Sequence, residues 1–168
     1  MAKKKKFGLN LILSGSAIVF AIVTIILLCA PAMVYTGKLT ENTVTMASVA
    51  FGNKDAGLAF SFLAFLPYIL VLAGIVLNVI SILGKGGKIL PIIATVCYVA
   101  GAILLFLVMQ TYCVVIPEGL EGELKNAYIE NTKKVINEAY TLGLGAIFSG
   151  VLSLVSAGLS LTTVFVKK

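Results

Sequence analysis

The sequence predicts an all-α integral membrane protein, a bundle of four transmembrane helices. Three observations carry that expectation. Of 168 residues 60% are apolar and only 12% are charged, a balance outside the range of soluble domains. Four uncharged apolar runs, residues 9–34, 58–83, 89–116 and 142–166, are each long enough to cross roughly 30 Å of hydrocarbon as a helix. Eight of the thirteen lysines fall on one side of those runs. Lys3, Lys4, Lys5, Lys6, Lys85, Lys88, Lys167 and Lys168 flank one set of ends with no acid among them, whereas the other segments carry five lysines and seven acids. By the positive-inside rule both termini are cytoplasmic, in a cell membrane whose anionic lipid meets the lysines.

The first run follows a basic start that looks like a signal peptide, but it is far longer than the ~7 to 15 residues of a signal core, and an uncleaved span is expected. Residues 35–57 then form an outer loop. Segments 35–40 and 43–51 are rich in Thr, Val and aromatic residues, with Val44 and Met46 alternating with Thr43 and Thr45, and Glu41-Asn42 between the two segments. This pattern predicts a small extracellular β-hairpin.

The second and third runs are joined by Gly84-Lys85-Gly86-Gly87-Lys88, a turn that needs glycine to reverse the chain and lysine to hold it at the headgroups. Pro67 predicts a kink in the second span. Gly74 and Asn78 share a face with Ser81, and Ala94, Cys97 and Gly101 form a comparable face on the third span. Small residues let helices approach closely in lipid, so these faces are the expected seam of the hairpin. In the last span Ala146 and Gly150, and beside them Ser149, Ser153 and Ala157, form a further helix-packing stripe.

Before that last span, Leu120, Leu124, Tyr128, Val135, Ile136 and Ala139 recur at helical spacing among charged residues, which predicts an extracellular amphipathic helix over residues 123–140. Gly143 and Gly145 then offer a bend. Tyr35, Tyr112 and Tyr140 fall at one depth, as an interfacial aromatic belt would. The whole chain, residues 1–168, reads as one membrane domain.

Residues able to carry chemistry are few. None of the four runs holds the acid or base that marks a proton path, and the chain has no histidine to activate a nucleophile. Cys29, Cys97 and Cys113 lack metal-ligand spacing. Cys29 and Cys113 lie near the same ends of their helices, which leaves open either a disulfide or, as for Cys97, a small packing residue. Glu118, Glu121 and Glu123 read as a solvated acidic face rather than a cation site. No enzyme activity, cofactor, metal or nucleic-acid partner is expected.

At Ala50-Phe51-Gly52, Phe60-Ser61-Phe62-Leu63 and Leu66-Pro67-Tyr68-Ile69-Leu70 the chain resembles small four-span membrane proteins of low-GC Gram-positive bacteria. Its topology is also similar to that of claudin-like tetraspan proteins, although the tryptophan and paired cysteines of the claudin loop have no counterpart here. No functional residue is carried over from either group. The expected function is that of a structural or accessory protein, binding a membrane-protein partner or a second copy through its outer loops and helices. An oligomeric channel or small-solute transporter is the alternative.

Overall fold

The computed structural model describes residues 2–36, 43–84 and 87–166, with side chains from Gly8 onward. The Glu41-Asn42 turn, Lys38, Lys85, Gly86, Lys167, Lys168 and the side chains of Lys3, Lys4, Lys5 and Lys6 lie outside these described residues. Four long apolar helices dominate: α1 (Ala2–Ile26), α3 (Phe62–Ile82), α4 (Ile89–Phe106) and α7 (Leu144–Phe165). Each has the length and composition to cross a membrane. Helix α1 packs on α3 and α7, and α4 packs on the same two, so the helices form a ring in chain order.

The ring has a repeating inward seam. Ser14, Ala17, Ala21 and Thr24 are buried on α1; Ala64, Pro67, Val71, Gly74 and Asn78 on α3; and Pro91, Ala94, Tyr98, Gly101 and Leu105 on α4. On α7 the buried set is Ala146, Ser149, Ser153, Ser156, Ser160 and Thr163. These positions alternate steps of three and four residues, the spacing that keeps one stripe facing its neighbours along a left-handed bundle. Ile12, Val19, Ile26, Val76, Val96 and Ile103 point outward and are exposed.

The end of the bundle away from the α3–α4 turn carries a folded cap. Strand β1 (Pro31–Tyr35) lies between β2 (Thr43–Thr45) and β5 (Tyr140–Leu142), antiparallel to both. Met33 pairs with Val44 on one side and Leu142 on the other. A second ladder joins β3 (Leu58–Ala59) to β4 (Cys113–Val114). Short helices α2 (Met46–Phe51) and α5 (Val108–Thr111) and the longer α6 (Gly122–Ala139) complete the cap.

Several boundaries differ from the sequence expectation, each for a local reason. The first span, expected over 9–34, leaves the α-helix at Ile26, passes through a 3-10 turn at Leu27–Cys29 and becomes β1. Ala30 is extended, with ψ 159, because it precedes Pro31 and proline disfavours the helical region for the residue before it. The second span begins at Phe62 rather than 58, since Ser61 caps it by accepting a hydrogen bond from the Ala64 amide. The third ends at Phe106 rather than 116. Beyond it the β-branched Val114, Val115 and Ile116 run toward Pro117, a composition that favours extended chain.

A hairpin is present, but its first strand is Pro31–Tyr35 rather than residues 35–40, of which 37–40 lie outside the described residues, and residues 46–51 are helix α2 and not its second strand. The Thr45 hydroxyl accepts from the Ser48 amide at 3.2 Å, which starts a helix, and Met46, Val49 and Ala50 bury along one side of it. The amphipathic helix falls within a residue of its expected bounds. Its buried side is rotated, however: Leu124 and Val135 are exposed, while Ile129 and Ile136 pack on the cap core. Tyr140 leaves the helix and joins the sheet as β5.

Candidate functional site

Two places in the bundle concentrate polar groups among apolar ones. The first is a hydrogen-bonded knot centred on Tyr98, which is fully buried on α4. Its hydroxyl accepts from the Asn78 amide at 3.2 Å, and the Asn78 carbonyl oxygen accepts from Ser160 at 2.9 Å. Ser160 also reaches the Pro91 carbonyl at 3.1 Å, Thr95 donates to the same carbonyl at 2.8 Å, and Ser153 donates to the Tyr98 carbonyl at 2.8 Å. A polar group without water must find its partners inside the protein. Around Tyr98, α3, α4 and α7 satisfy one another, while Tyr68 Oη on α3 and Ser149 Oγ on α7 are buried without a partner.

The small residues make room for this knot. A methyl group on Gly74 would lie 2.5 Å from a carbon of the Tyr98 ring, so only glycine admits the ring at that point. One on Gly101 would lie 3.3 Å from the Pro67 carbonyl, which marks a close α3–α4 approach, and one on Gly150 would lie 2.6 Å from the Phe106 ring. Ala94 and Ala157 pack with Tyr98, Val71 and Ala21. Ala146 joins the cap-side core with Leu105 and Tyr112. The α7 stripe thus meets α4 within one copy. Cys97 is only half-buried beside this seam, and Cys29, Cys97 and Cys113 are free thiols. The disulfide left open for Cys29 and Cys113 is not formed.

The second place is a cavity of about 180 Å³ at the end where α1 starts, α7 finishes and α3 turns into α4. All four long helices contribute to it. Its polar lining is Asn10, Ser14, Ser81, Thr163 and Lys88. Ser14 and Thr163 are buried, and the side-chain oxygen of Asn10 is buried with no hydrogen-bond partner. Lys88 is exposed and, among the described residues, is the charged one lining the space.

In the cap, Tyr112 is buried rather than spread at an interface. Its hydroxyl donates toward the Lys133 carbonyl and Asn137 Oδ1, both at 3.2 Å, and the Lys133 ammonium lies 5.5 Å from the ring centre. Burial pushes this phenol up to about 12. Tyr35 and Tyr140, paired across β1 and β5, meet edge to face at 5.5 Å. Gly143 and Gly145 act by close approach and not only as a bend: a methyl group on Gly145 would meet the Pro31 carbonyl at 2.5 Å, and Gly143 donates its amide to the Ala32 carbonyl at 2.7 Å.

Among the described residues no three His, Cys, Asp or Glu side chains converge on a point that could hold a metal ion. Glu118, Glu121 and Glu123 are exposed on and before α6. Sequence reasoning missed Tyr98, Ser160 and the cavity. The signal that could have found Tyr98 is the seam spacing itself, since Pro91, Ala94, Tyr98, Gly101 and Leu105 keep one register. No family model, characterised protein or solved structure matches the chain.

Proposed function

We propose that this chain is a non-enzymatic multi-pass protein of the cell membrane, a structural or accessory component that engages partners through its cap. In this reading the lysine end faces the cytoplasm and the cap faces outward, as lysine asymmetry favours. The observation that carries the proposal is the division of polar groups. Around Tyr98 the polar groups of α3, α4 and α7 are spent on one another, with Tyr68 Oη and Ser149 Oγ buried outside that knot without a partner, whereas the cap presents exposed Phe51, Phe60, Leu124 and Val135. Buried, mutually satisfied polar groups suit a scaffold, and exposed large apolar groups suit contact with a partner. A conduit through one copy would have to pass the fully buried Tyr98, Val71 and Leu105, so the channel alternative needs a pore between copies.

Gentle purification from the native membrane tests the proposal. A stoichiometric companion that is lost on Leu124→Glu or Val135→Glu, with the fold intact, supports it. Recovery of the protein alone, together with reproducible unitary currents in liposomes, contradicts it.

A further inference from the structure

We propose that the cavity at the lysine end binds the headgroup phosphate of an anionic phospholipid. The inference rests on the membrane placement above and is independent of any partner at the cap. The space, about 180 Å³, exceeds by several times the roughly 30 Å³ share of one water. Three hydroxyls and an amide line it, from Ser14, Ser81, Thr163 and Asn10, with Lys88 at its mouth. The Ser14 and Ser81 hydroxyls and the Asn10 amide nitrogen are of a kind that donates to phosphate oxygens, the Thr163 hydroxyl already donating to the Ser160 carbonyl at 2.7 Å, and a lysine binds phosphate as a point charge.

Among the described residues no acidic side chain lies at this end to neutralise that charge. Every acid among the described residues lies in segments of the cap, at the far end of the bundle. A headgroup whose net charge is negative, as that of phosphatidylglycerol is, supplies an acceptor for Lys88.

The apolar lining separates a lipid from a free phosphate ester. Leu11, Ile82, Val164 and Val166 line the same space as the polar groups, and Leu11 is half exposed on the outer face of α1. A phosphate held at Lys88 therefore has an apolar exit beside it along which an acyl chain can lie. A soluble ester would leave that surface unused. Polar groups fixing orientation within a mainly apolar concave site are the usual form of a ligand pocket.

Native mass spectrometry of the whole protein in mild detergent, with dioleoyl phosphatidylglycerol or dioleoyl phosphatidylcholine added, tests this. Phosphatidylglycerol should be retained roughly fivefold more strongly, the worth of about one lysine near an anionic surface. Lys88→Gln should lower that preference by roughly this factor, and Ser81→Leu, which fills the cavity, should reduce retention of both lipids. Lys54→Gln in the cap should change nothing. Lys88 is exposed, so its variant keeps the readout even if Ser81→Leu fails to fold. Equal retention of the two lipids, an unchanged preference in Lys88→Gln, or full retention in a folded Ser81→Leu overturns the proposal. Displacement of the lipid by glycerol phosphate at matched concentration also overturns it, in favour of a soluble ester.

Discussion

The cap and the bundle are built from different side chains. The cap core is made of large apolar groups: Met33, Met46, Val49, Leu58, Val108 and Tyr112 are all buried together. The bundle seam is made largely of alanine, glycine and serine around the Tyr98 ring. The contrast follows from the solvent each region is proposed to meet. Against water, removing large apolar surface is the main favourable term. Against lipid there is no such term, because a neighbouring helix is no more apolar than an acyl chain, and close backbone approach with interhelical hydrogen bonds takes over. One chain uses both strategies, and the junction between them is the glycine pair Gly143 and Gly145 pressed against β1.

If that contrast is real, the cap should be broken by removing volume and the bundle by adding it. The largest effect is expected at Met46, which is 1% exposed in the cap core. Met46→Ala should cost about 2–5 kcal/mol, read as a lowered unfolding midpoint with loss of protease resistance confined to the cap. A cost under about 0.5 kcal/mol, the range of ordinary surface changes, would mean that the cap core is not a hydrophobic core at all.

The second effect belongs to the bundle and has the opposite chemistry. Gly74→Ala adds one methyl group against the Tyr98 ring and should cost about 1–3 kcal/mol as overpacking, measured as helix loss in a detergent or denaturant titration. A neutral or stabilising result would show that α3 and α4 are not in close contact there. Asn78→Ala should cost less, about 1 kcal/mol, since interhelical hydrogen bonds in membranes average near 0.6 and reach about 1.7. Its partners Tyr98 and Ser160 then lose a bond without a clash.

The smallest effect sharpens how α6 is held, because no residue of α6 is fully buried. Tyr112→Phe should cost about 1 kcal/mol by removing the bonds to Lys133 and Asn137. Its pH dependence has a definite sign. The folded phenol titrates at about 12 against an ordinary 10, so the neutral form is favoured by folding. That contribution is complete below pH 10 and is lost as pH rises through 12. The unfolding midpoint should therefore fall across this window in the natural protein, and Tyr112→Phe should lack that step.

The four apolar helices and α6 were legible in the sequence because their patterns run for many residues. Their ends at the cap were not, and the cap core explains why. Ala32, Met33, Leu58, Val108 and Val114 are as apolar as the spans they adjoin, so hydropathy runs on without a break while the backbone has already become strand or turn. Helix α2 was hidden behind the Val44, Met46 alternation, which Thr45 interrupts by capping. Within the bundle, small residues such as Gly74, Gly101 and Gly150 can be placed on a face from spacing, but the rings that fill the space opposite them, Tyr98 and Phe106, cannot. The cavity could not be read at all. It exists only where the ends of four helices, some 150 residues apart in the chain, come together.

The account depends on the bundle lying in lipid with cap and cavity on opposite faces. With the three native cysteines replaced by alanine, Lys88→Cys and Glu130→Cys can each be labelled by a membrane-impermeant maleimide in intact cells and in inverted vesicles. The account predicts that Glu130→Cys reacts in cells and Lys88→Cys only in inverted vesicles. Labelling of both positions from the same side would contradict it.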